Sequence, residues 1–316
     1  MTDVEVNPTD RVWRVRDRVI PLSRPVVIGI LNVTPDSFSD GGRYESVDRA
    51  LRHAARLVDE RADGIDIGGE STRPQGAKPV STDEELRRVL PVVERLRASF
   101  PDLVLSVDTT KSAVARAVLE AGADAINDVS GLRIDPRMGP VIASTGAGVV
   151  LMHSRGSVSD MATYRYANYA GDVVEAVAAD LRRVVDDAMA VGIPPNSIVL
   201  DPGIGFSKRS DHSLRVLAGL RRLVALGYPI MVGVSRKRFI GDLSGVQIAS
   251  ERVAGTIGAN VMALAAGARL VRVHDVAPNR QALDVAWGVV QSRDASGDRP
   301  TQSASDSGLM APDSRP

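Results

Sequence analysis

Residues 28–42 read IGILNVTPDSFSDGG, an apolar run that passes directly into a loop of hydroxyl, carboxylate and glycine residues. A short continuous apolar run bounded by turn residues is typical of a strand buried on both faces. The first strand of a doubly wound nucleotide-binding sheet is followed by GxGxxG, and that fingerprint does not occur here. The same change from apolar run to polar loop recurs about eight times along the chain.

The eight runs predict eight strands, and segments with apolar residues three and four positions apart predict helices between them. The predicted strands are 25–33, 63–68, 103–109, 124–130, 147–154, 197–203, 229–235 and 269–275. The predicted helices include 47–62, 82–100, 112–122, 173–192 and 253–267. Eight strands, each followed by a helix, predict an α/β protein with a single (β/α)₈ TIM barrel, and this is favoured over an open doubly wound sheet.

Helix ends carry their own signals. Thr82, with Glu85 three residues later, predicts an N-cap and capping box for the second helix. Gly122, Gly192 and Gly267 follow three predicted helices and suit the C′ position, where a left-handed backbone is common. The signals therefore support the proposed element boundaries.

The predicted domain organisation has three parts. Residues 1–24 form an N-terminal segment, in which the alternating stretch RVWRVRDRVIPL (11–22) predicts a hairpin that closes the barrel bottom. Residues 25–291 form the barrel. Residues 292–316, rich in Ser, Asp, Pro and Gly, are predicted to be a disordered tail because they offer little apolar surface to bury.

Composition excludes several classes of function. Lys plus Arg equals Asp plus Glu, at 39 each, so a broad basic surface for nucleic acid is not expected. The chain has no cysteine, which excludes disulfides, cysteine-bound metals and thiol nucleophiles. It contains no apolar stretch long enough for a membrane span and no signal-peptide pattern at its start. A cytoplasmic protein without membrane or nucleic-acid partners is predicted.

Polar side chains gather where the predicted strands end, which in a barrel is the active-site face. Any one of them alone is more often a turn former or a helix cap. Together they form a pattern, because short acceptors and donors at rigid strand ends suit a flat heterocycle with N–H and C=O groups at its edge. These are Asp108, Asn127 and Asp201.

A second group of residues suits a phosphate-bearing substrate. Guanidinium, ammonium and imidazole groups bind phosphate oxygens, and they are supplied by Arg73, Lys237, Arg272 and His274. Asn32, Thr34 and Asp36 are hard oxygen ligands of the kind that suit Mg²⁺ shared with a phosphate. The strand ends therefore predict a pocket for a polar heterocycle joined to a phosphate or diphosphate.

At this point the chain resembles one family, the dihydropteroate synthases of folate biosynthesis, over about residues 25–290. The motifs that carry the resemblance occur in family order. They are NVTPDSFSDGG (32–42), DIGGESTRP (66–74), SVDTTK (106–111), INDVSG (126–131), LMH (151–153), LDPGIGF (200–206), SRKRF (235–239) and RVHDV (272–276).

The resemblance implies condensation of 6-hydroxymethyl-7,8-dihydropterin diphosphate with 4-aminobenzoate through a pterin cation, with Mg²⁺ as cofactor and a homodimer as the usual assembly. It also implies residue roles. Asn32 would touch the metal and the diphosphate, and Arg272 and His274 would bind the diphosphate. Thr72 and Arg73 would lie on the diphosphate and aminobenzoate side. The pterin side would be Asp108, Asn127, Asp201 and Lys237. The aminobenzoate slot would be Phe38, Pro74, Phe206 and the backbone of 237–238. The predicted catalytic residues are Asp108, Lys237, Arg272 and His274.

The resemblance has two departures and leaves two alternatives. Gln75 is interposed in STRPQGA, and Ser207 stands in GFSK where the family commonly has glycine. Both positions predict an altered affinity for aminobenzoate or its sulfonamide mimics, with unchanged chemistry. The alternatives are a methyltetrahydrofolate:corrinoid methyltransferase, which shares the barrel and several pterin contacts, and a catalytically silent pterin-binding paralogue.

Overall fold

The structure is a computed structural model that describes residues 12–33, 43–70 and 80–295, with backbone only for 43–45 and 294–295. Eight parallel strands form one sheet. In chain order they are β3 (Val26–Asn32), β4 (Gly64–Gly68), β5 (Val104–Asp108), β6 (Ala125–Asp128), β7 (Gly148–Met152), β8 (Ile198–Asp201), β9 (Met231–Val232) and β10 (Leu270–Val273). From β3 to β8 each strand pairs with its sequence neighbour, and β10 pairs with both β3 and β9. A parallel bridge between Leu200 and Ile230 joins β8 to the β9 region and closes the barrel.

Helices separate the strands and cover the outside of the barrel. They are α1 (Arg43–Asp59), α2 (Thr82–Ser99), α3 (Ser112–Glu120), α4 (Met138–Thr145), α5 (Val158–Met161), α6 (Val173–Ala190), α7 (Ser210–Ala218), α8 (Leu220–Val224), α9 (Arg238–Ser244), α10 (Val253–Ala265) and α11 (Val276–Ala295). The predicted (β/α)₈ barrel is confirmed. Seven of the predicted strands match observed strands closely, and the predicted strand 229–235 is reduced to the two residues of β9.

The helix-end predictions are mixed. The predicted N-cap at Thr82 is wrong by one residue, because Ser81 is the cap and its Oγ accepts the Glu84 backbone N–H at 3.2 Å. Glu85 does not cap the helix, since its side chain is fully buried and faces Lys111. The C′ glycines are confirmed: Gly122, Gly192 and Gly267 all have φ near +100°, where a side chain would be strained.

The bottom of the barrel, at the N-terminal ends of the strands, is sealed by the predicted hairpin. Strands β1 (Val12–Val15) and β2 (Arg18–Pro21) pair antiparallel. The buried Trp13 and Val15 pack against residues of the barrel interior, and Trp13 Nε1 donates to the Ser197 carbonyl at 3.0 Å. A Cβ at Gly148 would lie 2.4 Å from Val15 and 2.9 Å from Trp13 Nε1, so only glycine fits beneath this hairpin.

Trp13→Ala is expected to lower the free energy of unfolding by about 3–5 kcal/mol, because a fully buried indole is replaced by a cavity at the barrel base. Urea unfolding monitored by circular dichroism measures the change. Trp287→Ala is the matched control, since Trp287 on α11 is only partly buried and should cost clearly less. Equal losses in the two variants would contradict a sealing role for the hairpin.

The predicted tail boundary needs a correction. Helix α11 continues to Ala295, so it extends into the segment predicted to be disordered from Ser292 onwards. Residues 296–316 lie outside the described residues, as does the N-terminal part of the first segment, 1–11. Within the part of the chain that the structure describes, no helix has the length and apolarity needed to cross a bilayer.

Candidate active site

A buried carboxylate organises the C-terminal mouth of the barrel. Asp66 on β4 is 1% exposed and accepts three hydrogen bonds from neighbouring strands. The donors are Ser106 Oγ at 2.6 Å, Asn127 Nδ2 at 3.0 Å and Arg272 Nε at 2.6 Å. Four strands, β4, β5, β6 and β10, are thereby fixed to one another through a single side chain.

Arg272 connects this carboxylate to a second one. Its Nη2 lies 3.3 Å from Asp108 Oδ2 at the end of β5. Burial alone would lower the pKa of Arg272, but Asp66 and Asp108 outweigh it, so that pKa is raised and the guanidinium stays charged. Burial raises the pKa of Asp108 to about 8, although Arg272 opposes the rise. Asp108 is therefore a carboxyl group that gains or loses its proton near neutral pH.

Two further predicted residues face each other across the mouth from the β8 and β9 loops. Asp201, at the end of β8, is buried and accepts the Gly203 N–H at 2.7 Å. Burial raises the pKa of Asp201, and burial lowers the pKa of Lys237 to about 7. Lys237 Nζ donates to the Ile204 carbonyl and lies 3.9 Å from the centre of the Phe206 ring. A partly buried amine, a carboxyl group and an aromatic face are thus brought together.

His274 is held in a defined orientation at the end of β10. Its backbone N–H donates to Ser235 Oγ at 3.1 Å, and its Nδ1 lies 3.0 Å from the same oxygen. Ser235 Oγ can donate its own proton to Nδ1, and in that arrangement the imidazole carries its proton on Nε2. The adjacent Asp275 pairs with Arg236 through contacts of 2.9 and 2.5 Å, which links the β9 and β10 loops.

Asn32 is the predicted metal ligand that the structure describes. It ends β3, and its Oδ1 would lie 3.4 Å from a Cβ at Gly68, so the amide stands over the neighbouring strand end. An amide oxygen fits Mg²⁺, which commonly takes one or two protein ligands together with substrate phosphates. In the described ranges, no group of three or more His, Asp or Glu side chains could hold a metal by itself.

Several predicted site residues lie outside the described residues. They are Thr34, Asp36, Phe38, Thr72, Arg73, Pro74 and Gln75. The described residues on either side of the segment 71–79 contact each other: Glu70 accepts the Val80 N–H at 3.0 Å, and its second oxygen accepts from Lys111 Nζ at 2.6 Å. Lys111 also contacts Glu85, and the two carboxylates raise its pKa against the opposing effect of burial.

Behind the β8 loop lies a polar network that the sequence did not reveal. The fully buried Lys208 Nζ donates to the carbonyls of Gly203 and Phe206 at 3.0 and 3.1 Å, and it lies 2.8 Å from His153 Nδ1. His153 Nε2 in turn lies 3.0 Å from Asp180. Burial, and next the charge of Lys208, lower the pKa of His153 to about 3, so the imidazole is neutral and carries its proton on Nε2.

This network predicts acid-sensitive stability. The His153 pKa falls from 6.5 in the unfolded chain to about 3 in the folded protein, so only the unfolded chain binds a proton between these values. Stability should therefore be complete above pH 6.5 and fall progressively as the pH drops towards 3. Urea unfolding at a series of pH values measures the slope. His153→Gln, which can still accept from Lys208 and donate to Asp180, should flatten it, and an unchanged slope would contradict the prediction.

Sequence reasoning selected eight of the described residues, including Asn32 and Phe206, and overlooked Asp66, which binds two of the eight, Asn127 and Arg272. Asp108, Asn127, Asp201, Lys237, Arg272 and His274 all lie at the mouth as predicted. Asp66 was not selected because it sits inside a strand rather than after one. The signal was present, since a lone carboxylate in the buried strand GIDIG requires a partner in the barrel interior.

Known proteins of one family match this chain over the whole barrel. The profile of the family described as "Pterin binding enzyme" matches residues 28–274, which contain all eight strand ends. The chain belongs to this pterin-binding family. The dihydropteroate synthase of Mycobacterium leprae is 47% identical over 268 residues, which cover 83% of this chain and 93% of that protein. The Bacillus subtilis dihydropteroate synthase is 45% identical over 253 residues, 80% of this chain and 84% of that protein.

Solved structures in the pterin-binding family share the architecture. The Xanthomonas albilineans dihydropteroate synthase with 4-aminobenzoic acid has a TM-score of 0.82 and 46% identity, and the match covers 90% of this chain and 99% of that one. The same protein in complex with 7,8-dihydropteroate has a TM-score of 0.77 and 44% identity, over 87% and 97% of the two chains. Proteins can share a fold at much lower sequence identity, so identities of 46 and 44% indicate a likeness that goes beyond the fold.

Proposed function

We infer that this chain is a dihydropteroate synthase, a transferase that condenses 6-hydroxymethyl-7,8-dihydropterin diphosphate with 4-aminobenzoate and releases pyrophosphate. The observation that carries the inference is the linked cluster of Asp66, Arg272, Asp108 and Asn127 at the barrel mouth. It offers acceptors and donors in a fixed arrangement, with Asp201 and Lys237 nearby. The close relatives carry the same name over nearly their whole length.

The pterin would bind along the strand ends. Asp108 and Asp201 supply acceptors for ring N–H groups, and Lys237 supplies a donor. Positive charge develops on the pterin methylene carbon as its C–O bond breaks, and a carboxylate accepting ring N–H bonds stabilises that charge as it spreads into the ring. Asp108 can lose its proton near neutral pH, because burial raises its pKa to about 8. This suits a group that needs its negative charge only when the pterin is bound.

The departing pyrophosphate would be received on the β3 and β10 side of the mouth. Ser235 holds the His274 ring through Nδ1, so that Nε2 would donate to the leaving group, and Arg272 contributes a permanent positive charge. Bound Mg²⁺, held in part by Asn32, would supply further neutralisation of negative charge on the leaving group. The magnesium requirement rests on the family resemblance and on the donor chemistry of Asn32.

The acceptor amine would enter beside Phe206 and Lys237. The Phe206 ring offers an aromatic face, and the cationic form of Lys237 lies close enough to interact with a carboxylate on an aromatic acceptor. Attack by the aniline nitrogen on the pterin carbon needs no covalent intermediate with the protein. The reaction therefore depends on placing two substrates and stabilising charge.

We also propose that the protein is a homodimer. Met262 on α10 and Val285 and Val289 on the adjacent α11 are 70, 68 and 50% exposed, an apolar surface on packed helices of one side of the barrel. Exposed apolar patches of this kind are commonly covered by a partner. Light scattering of the purified protein gives the molar mass, and a monomer would refute the proposal. The predicted cytoplasmic location stays a prediction.

The function is tested by pyrophosphate release from purified protein with the pterin diphosphate and Mg²⁺, with and without 4-aminobenzoate. Release that depends on 4-aminobenzoate, with dihydropteroate as product and with loss of activity on chelation of Mg²⁺, is the expected result. Tight pterin binding without release would favour the silent paralogue. Methyl transfer from a folate to a corrinoid would favour the methyltransferase.

A further inference from the structure

Ser207 stands at an unusual position in the loop that follows β8. It is fully buried, and its φ of +49° lies in the left-handed region that favours glycine. Glycine would adopt this backbone without strain, so this chain accepts a small backbone cost to place a hydroxyl group at residue 207. A side chain that is retained at such a cost needs contacts that compensate for it.

The hydroxyl group makes those contacts with the loop after β7. Ser207 Oγ accepts the Arg155 N–H at 2.9 Å and lies 2.9 Å from the Arg155 carbonyl, to which it can donate. The Ser207 backbone N–H donates to the Met161 carbonyl at 2.6 Å. Tyr169 Oη donates to the Ser207 carbonyl at 3.1 Å. Side chain and backbone of this one residue therefore join the β7 loop to the β8 loop.

The joined loops fix the aromatic wall of the mouth. Phe206 immediately precedes Ser207 and packs against a small buried cluster that includes Met161, the residue whose carbonyl Ser207 binds. On its other side the Phe206 ring lies beneath Lys237 Nζ. Movement of Ser207 away from Arg155 would therefore shift the ring relative to the amine.

We propose that the Ser207 hydroxyl is a specificity-determining clasp, which holds Phe206 against Lys237 and so sets how tightly this chain binds aromatic amine acceptors bearing a carboxylate or a mimic of it. The proposal rests on the proposed function and assigns residue 207 an acceptor-side role. Because Asp108, Asn127 and Asp201 are held by other contacts, the clasp should affect the acceptor and leave the pterin unaffected.

Two substitutions distinguish the effect of the Ser207 hydroxyl group from the effect of its left-handed backbone. Ser207→Ala removes the hydroxyl and keeps a side chain in the left-handed region, whereas Ser207→Gly removes the hydroxyl and relieves the backbone. Both should raise the KM for 4-aminobenzoate by about five- to tenfold, the effect of losing one or two neutral hydrogen bonds, with the KM for the pterin diphosphate unchanged. Only Ser207→Ala should also be less stable than the wild type.

Steady-state kinetics with both substrates varied, together with amide hydrogen exchange at Arg155, provides the test. Faster Arg155 exchange accompanied by the selective rise in acceptor KM supports the clasp. Ser144→Ala is the control, because it deletes a hydroxyl bond to the Val141 carbonyl on α4, away from the β8 loop. An unchanged acceptor KM in both Ser207 variants, or an equal rise for both substrates, would overturn the proposal while leaving the synthase function intact. A wild type that forms no dihydropteroate would overturn the proposed function itself and the acceptor role with it.

Discussion

Arg272→Met is expected to lower the free energy of unfolding by about 3–5 kcal/mol and to reduce turnover by about a thousandfold. The stability loss follows from Asp66, a carboxyl group that is 1% exposed and would lose the guanidinium with which it pairs. The turnover loss follows from the removal of the permanent positive charge at the mouth. Chemical denaturation and steady-state kinetics measure the two effects separately.

A double substitution separates the two roles of Arg272. Asp66→Asn combined with Arg272→Met removes both charges, so much of the stability should return while turnover stays low. Arg272→Lys is the second control, because it keeps a charge but cannot contact Asp66 and Asp108 together as the fork of the guanidinium does. If the double variant were as unstable as Arg272→Met, the ion pair with Asp66 would not be the source of the stability loss.

Asp108→Asn is expected to lower kcat/KM by about a hundred- to a thousandfold with little change in fold. The amide has the shape of the carboxylate but carries no charge, and its NH₂ group cannot accept a pterin N–H. The loss should appear mainly in kcat, because charge builds on the pterin as the C–O bond breaks. A loss confined to the KM for the pterin would assign Asp108 to ground-state binding only.

The same variant tests the protonation of Asp108. Burial raises the pKa of this carboxyl group to about 8, so it is largely protonated at pH 6 in the free protein. A pterin N–H favours the carboxylate, so pterin affinity in the wild type should increase as the pH rises from 6 towards 8. Asp108→Asn should remove that dependence. Calorimetry across this range measures it, and an identical pH profile in both proteins would contradict the assignment.

The barrel could be predicted from the sequence because each of its strands and helices has a local residue pattern, and these patterns repeat along the chain. Each strand is an apolar run that is buried on both faces, so its pattern does not depend on which strand lies beside it. The C-terminal ends of helices could be predicted from the sequence in the same way, because a glycine that follows a helix, such as Gly122 or Gly267, suits the left-handed backbone of the C′ position. Ser81 was missed because neighbouring Ser and Thr residues both make good caps, and the choice depends on where α2 meets the preceding chain.

The site was predicted at the level of residues but not of contacts. Asp108 and Arg272 were selected because they lie at strand ends. The sequence could not show that these two residues, 164 positions apart, come within hydrogen-bond distance of each other. Asp66 and Lys208 were harder, because a buried charge becomes meaningful only when its partners are known. Such partners come from distant strands, and their distances are set by closure of the barrel.

The bond between Trp13 and the Ser197 carbonyl also sets an order of events during synthesis. Its two residues are 184 positions apart, and at about 5–20 residues per second the ribosome needs about 10–40 s to make the chain between them. Throughout that interval the hairpin has been synthesised, but the barrel strands from β8 onwards have not. Trp13, which is 1% exposed in the folded protein, therefore lacks its final partner until more than half of the chain has been made.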